Sequence, residues 1–349
     1  MSLPNSTARS GFIAGPIFDT VCFIAAPLLA VLVAIPFLVV PSLNSRLFIG
    51  VNVVSLREIF IHAVIYSHLF IVFFRSHVNG GIFRLFPYRF VVVPIALFGV
   101  MYWSDAAMVF VGVLAVWWDV YHSSMQTFGL GRIYDMKKGN DLQVGRRLDQ
   151  VLNLVMYAGP ILAGASLFTH LDYTRRADVG NQYLPPLFQQ VPFEASDARP
   201  FLMAAVLGFS LPFIAYYFYA YWRYHQQGYM VSWQKVSLYA ILAVVSLACW
   251  GFDSFHEAFF VMNFFHAFQY FAIVWHQEGD HVTEVFRLKT VPRGKEVALA
   301  LFVLIGISYG VWSGLHAQFR ASICVLLVVS IMHFWYDGFI WSVRKGQVR

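Results

Sequence analysis

Long apolar runs, separated by short stretches rich in charge, proline or glycine, dominate the pattern along this chain. A helix rising 1.5 Å per residue needs roughly 20 residues to cross hydrocarbon, and ten runs approach that length. The first five are Ile17 to Val40, Leu47 to Phe74, Phe90 to Trp103, Ala106 to Phe128 and Leu148 to Phe168. The second five are Phe201 to Trp222, Val236 to Trp250, Phe255 to His276, Val297 to Trp312 and Ala321 to Val343. The pattern therefore predicts an all-α, polytopic integral membrane bundle of about ten helices forming a single transmembrane domain over residues 1–349. The first run is longer than the apolar core of a cleavable signal and is expected to span. Residues 169–200 carry Pro185, Pro186 and Pro192 and are expected to form an irregular extracytoplasmic loop or cap.

The placement of Lys and Arg provides an independent test, because cytoplasmic loops collect them. With the N-terminus inside, 18 of the 24 fall on one side, from Arg9 through Arg75, Arg132 and Lys235 to Arg349. Arg46, Arg175, Arg176, Arg199 and Arg320 fall on the other, and Arg57 lies within a run. Both termini are thus expected in the cytoplasm. Trp103, Trp222, Trp250, Trp275, Trp312 and Trp341 lie near the ends of runs, where interfacial aromatics concentrate.

Composition agrees with this reading: 59% of residues are hydrophobic, only 12% are charged, and mean hydropathy is +0.63. A net charge of +6 distributed in this way argues against nucleic acid as a partner. Cys22, Cys249 and Cys324 sit inside apolar runs and form neither a disulfide framework nor a zinc spacing.

Against this background the histidines stand out, since an ionisable group inside hydrocarbon needs a partner and marks a candidate functional site. The second, fourth, eighth and tenth runs all head toward the cytoplasm, and each bears a histidine in its inner half: His68, His122, His266 and His333. Helical rise puts them roughly 9 to 15 Å above the inner boundary. Polar residues flank them at helical spacing. Asp119, His122 and Gln126 form one stripe, Asn263, His266 and Gln269 follow at intervals of three, and His333 pairs with Asp337 at i,i+4. A ligating imidazole normally donates its second ring nitrogen to a carboxylate, amide or carbonyl. The expected metal ligands are therefore His68, His122, His266 and His333, with His276 as a further nitrogen ligand. Asp119 and Asp337 are expected in catalysis, and Gln126, Asn263 and Gln269 around the cofactor. Arg57, Glu58 and His62 are read as a structural polar cluster.

Imidazole suits iron, zinc and copper. The expectation is a transition metal, iron first, mononuclear or dinuclear, in an oxidoreductase acting on a lipid or other apolar substrate with an electron-donor protein. Two alternatives stay open. One is non-covalent haem clamped by paired histidines, with no C-x-x-C-H attachment motif present; the other is a proton-coupled transporter, although no internal repeat is evident.

Four segments carry a resemblance: GPIFD (Gly15 to Asp19), HSSMQTFGL (His122 to Leu130), NFFHAFQYFAIVW (Asn263 to Trp275) and HFWYDGFIW (His333 to Trp341). They resemble an uncharacterised bacterial family of polytopic membrane proteins whose closing motif reads His-Tyr-x-x-Asp-x-Phe-Ile-Trp, with Phe334 here in place of Tyr. The resemblance implies an inner-membrane location and groups these positions without assigning an activity. A looser, architectural likeness is to membrane-bound di-iron hydroxylases and desaturases, whose H-x-x-H-H and H-x-x-x-H boxes are absent here.

Overall fold

The computed structural model describes residues 11–49, 52–164, 167, 186–253, 255–317 and 319–341, giving only the backbone path for 52, 186–197 and 255–256. Among the described residues ten principal helices run in chain order: α1 (Pro16–Ile24 and Ala26–Val39, bent by 56° at the break), α2 (Leu56–Val78), α3 (Pro87–Trp103), α4 (Asp105–Lys138) and α5 (Arg146–Ala163), then α6 (Pro186–Gln226), α7 (Trp233–Phe252), α8 (Phe255–Val285), α9 (Gly294–Leu315) and α10 (Arg320–Ile340). An antiparallel hairpin, β1 (Arg46–Ile49) on β2 (Asn52–Ser55), occupies part of what the pattern assigned to the second span. Ser55 then starts α2 through a capping box with Glu58, which explains the carboxylate the sequence placed in a polar cluster. Arg57 instead lies 5.7 Å from the centre of the Phe260 ring.

Seven of these helices are long and apolar enough to cross a membrane, or eight if bent α1 counts as one span. Their outer surfaces are apolar: Phe218 and Val244 are each 67% exposed and Leu304 is 57% exposed, whereas Arg75, Lys235 and Asp149 are buried. Large exposed apolar faces over buried charge are the arrangement lipid requires. The chain is a multi-pass membrane protein in character. Helix α3 is shorter than a full span, and α5 falls outside the seven because Arg146, Arg147 and Asp149 charge its first turn; Asp149, Asn153 and Tyr157 are buried at i, i+4 and i+8. The cap expected over 169–200 lies mostly outside the described residues, although from Pro186 on the chain is already helical.

The chain forms two compact units, the first comprising Met1–Leu28, Val120–His170 and Val191–Ala258, the second Leu29–Asp119, Leu171–Gln190 and Phe259–Arg349. The first is centred on buried charge. Asp149 Oδ2 and Asp135 Oδ2 each accept from both Arg132 Nη1 and Lys235 Nζ at 2.6 to 2.9 Å. Asp149 Oδ1 accepts from Tyr217 and Tyr221 at 2.8 and 2.6 Å, and Asp135 Oδ1 from Tyr229 at 2.5 Å. Burial and then Asp135 push the Tyr229 hydroxyl well above its ordinary pKa, so it stays a donor. Near the N-terminus the buried carboxylate of Asp19 accepts from the backbone N–H groups of Ile13, Ala14 and Gly15 at 2.6 to 3.2 Å, which accounts for the aspartate of GPIFD.

In the second unit, α9 lies directly against α2. A Cβ at Gly310 would collide with the His62 carbonyl and the Ser67 amide, and one at Gly314 with the His62 ring. Small residues at four-residue spacing permit this approach, as in other membrane helix pairs. The contacted stretch of α2, His62–Tyr66, is π-helical, as is Phe74–Val78 after it. The ordinary α-turns between them carry His68.

Candidate metal centre

Helices α2, α8 and α10 bring three imidazoles together inside the second unit. His68, His266 and His333 are 1%, 0% and 0% exposed, and one ring nitrogen from each lies within 4.8 Å of the others. The His68 ring centre is 5.0 Å from each of the other two, which are 6.4 Å apart, and the rings meet edge to face. The His68 tautomer follows from its surroundings. Its Nδ1 contacts the Ile65 carbonyl, which can only accept, so Nδ1 carries the proton and Nε2 the lone pair. That Nε2 is buried and has no hydrogen-bond partner among the described residues. Leaving a buried polar atom unmatched costs roughly 1–3 kcal/mol, so it calls for an explanation.

A metal ion fits the donor set. Three atoms within 4.8 Å of one another surround a central point at no more than about 2.8 Å, so reaching the ~2.0–2.1 Å of a metal–nitrogen bond takes ring movements under ~1 Å.

The shell around the cluster is ordered. The Tyr270 ring lies 4.5 Å from His333 and 6.1 Å from His68. Its hydroxyl donates to Asp337 Oδ1 at 2.8 Å, and Trp341 Nε1 donates to the same oxygen at 2.8 Å. The Asp337 carboxylate comes within 4.8 Å of a His333 ring nitrogen, as their i,i+4 spacing requires. Beyond Asp337 a charged clamp ties the three helices together. Arg75 on α2 donates to Glu278 on α8 at 2.5 Å and to the Ile340 carbonyl on α10 at 3.0 and 3.2 Å, with its guanidinium 4.0 Å from the Trp341 ring centre. Asn79 donates to the other Glu278 oxygen at 2.8 Å.

The other expected site residues fall as follows. Asn263 and Gln269 are buried on α8, one turn to either side of His266, and Asp119 is half-buried on α4. His122 is buried and Gln126 half-buried on the part of α4 that belongs to the first unit. His276 is exposed, and ten residues of helical rise place it about 15 Å along α8 from His266, so it does not join the three. His281 approaches the Val78 carbonyl at 3.1 Å. His170 and the His256 side chain lie outside the described residues.

Sequence reasoning passed over Tyr270 and Trp341, whose places one turn from His266 and from Asp337 were a usable signal. It also counted Arg75, Arg132 and Lys235 as loop charges, whereas all three are buried in ion pairs. Fold and site together define a multi-pass membrane protein with a buried cluster of three histidines able to hold a metal. Compared with protein families, curated proteins and solved structures, the chain matches none.

Proposed function

We propose that the chain is a metal-dependent integral membrane enzyme, an oxidoreductase of the hydroxylase or desaturase type, with His68, His266 and His333 as ligands of a transition metal, iron first. The observation that carries this reading is the lone-pair nitrogen of His68, buried and unmatched beside two further imidazoles. Asp337 orients His333, and Tyr270 and Trp341 hold Asp337. When bound, the metal would supply redox or Lewis-acid chemistry in surroundings that exclude water. The chain's own residues would fix the ligand geometry and keep bulk solvent away.

In the same reading the chain is grouped with the bacterial family it resembles, a grouping supported by the place of His333, Asp337 and Trp341 of the closing motif around this site. The inner membrane, ten spanning segments and both termini in the cytoplasm complete it, supported by the one-sided distribution of Lys and Arg. An electron-donor protein would dock on the cytoplasmic side.

The test is elemental analysis and visible spectroscopy of the protein purified in detergent. Stoichiometric non-haem metal is expected in the native chain and its loss in His333→Ala, with helix content unchanged. A Soret band would identify haem instead, and a folded, metal-free native protein would sink both.

A further inference from the structure

Beside the cluster, and wholly within the second unit, lies a slot of about 270 Å³ between α2, α4, α8 and α10. It runs from Met108 and Ile323 at one end to Asp119 and Phe334 at the other. Eleven residues of helix separate the two levels, so the slot is about 16 Å long and parallel to the helices. Its width has a sequence cause: Gly112 and Ala115 stand on the α4 face that lines it, and a Cβ added at Gly112 would meet nothing within 4 Å. Most of its wall is aliphatic, with Val116, Leu326 and Leu327 typical, while His68 and Asn263 stand toward the Asp119 end. A cavity of ~150 Å³ lined by such side chains already admits benzene, and a dry apolar void of this size has no partner atoms for its lining.

We propose that this slot holds one unbranched hydrocarbon chain, the tail of a free fatty acid or of a membrane lipid, lying along the helices with one end against His68. Three observations combine here. The slot is long and mostly apolar, which suits an alkyl chain. It lies among helices whose outer faces are apolar, so a chain can enter from the bilayer without crossing water. Its polar end contains His68, whose buried Nε2 has no hydrogen-bond partner among the described residues. That the bound chain is the substrate rests on the metal reading, but its binding does not.

The experiment uses the full-length protein in lipid nanodiscs, photolabelled with a diazirine-bearing fatty acid or, in a parallel arm, a diazirine-bearing phosphatidylethanolamine, with adducts mapped by peptide mass spectrometry. Adducts are expected on the α4 face bearing Gly112 and Val116 and on the α10 face bearing Ile323 and Leu327. Labelling of these peptides by the fatty acid alone assigns a free chain, and labelling in both arms assigns a lipid tail. Gly112→Phe should lower this labelling about tenfold, the equivalent of denying burial to two methylenes. Ala115→Leu should lower it in the same direction and serves where Gly112→Phe fails to fold. Leu114→Phe, on the outward face where Leu114 is 36% exposed, should leave it unchanged. Metal content is measured on every variant and should not move. Adducts confined to outward residues such as Phe110, or slot adducts insensitive to both filling substitutions, would overturn the proposal. Slot labelling in a native protein that holds no metal would retain the hydrocarbon site and remove the metal reading, so the two fail separately.

Discussion

Two buried polar clusters sit among apolar helices in this protein, one in each compact unit, and they differ in how completely they are matched. In the first unit two cations face two carboxylates, and all four carboxylate oxygens accept hydrogen bonds. In the second, His68 Nε2 has no hydrogen-bond partner among the described residues, and the His68 ring offers one nitrogen within 4.8 Å of ring nitrogens of two other imidazoles. Carboxylates whose oxygens are all matched serve the fold, although Arg132 Nε beside them has no partner among the described residues. A cluster left open by one or more atoms is shaped for something the chain does not contain.

Substitutions should separate the two. The largest effect is expected from Asp149→Ala, which leaves Arg132 and Lys235 sharing only Asp135 and the tyrosines without one acceptor. Removing one partner from a buried charged network costs about 3–5 kcal/mol, visible as a large drop in thermal midpoint with metal content per folded molecule unchanged. A loss below about 1 kcal/mol would mean that water reaches the network and the contrast fails. Asp337→Asn comes next. It keeps the shape and removes the charge behind His333, so metal affinity should fall about 10–100-fold, the usual effect of losing such an orienting partner, as read by competition with a chelator. The smallest change in stability is expected from His68→Phe, which preserves ring volume and deletes the unmatched nitrogen. The metal-free protein should change by less than about 1 kcal/mol, while metal binding is lost. Destabilisation as large as that of Asp149→Ala would show that the histidines are a closed structural cluster as well.

Much of the second cluster was legible in the chain. His68, His266 and His333 could be placed at one depth from helical rise and the direction of each span, and the i,i+4 partner of His333 follows from spacing alone. The first cluster was hidden by the same rules. Arg132 and Lys235 lie near helix ends, where the charge rule assigns them to loops, and only their packing shows that they turn inward. Asp149 and Asn153 lowered the hydropathy of α5 because they form its inner face, so apolar length alone misjudges that helix. The hairpin Arg46–Ser55 was absorbed into a span because alternating Val, Leu and Phe residues read as apolar at any period. Tyr270 was passed over and Trp341 read only as an interfacial aromatic because aromatic residues are so common here, 18% of the chain, that their spacing from His266 and Asp337 was the one signal available.

The π-helical stretch His62–Tyr66 sets a condition on α2 that no side chain imposes. An i→i+5 segment turns less per residue than an α-helix, so the direction of His68 cannot be obtained by counting 100° steps from His62. The wider turn takes up one residue more than an α-helix would use over the same arc. Deleting one of those five and letting the segment relax to an α-helix would change the direction of His68 little, because four α-steps of about 100° cover nearly the same arc as five of the smaller π-steps. Gly310 and Gly314 approach that same stretch closely. The stretch is therefore the part of α2 before His68 that tolerates a change of length: a gap of one codon within it would leave His68 facing His266 and His333, whereas the same gap in the α-turn just before the imidazole would turn it away by about 100°.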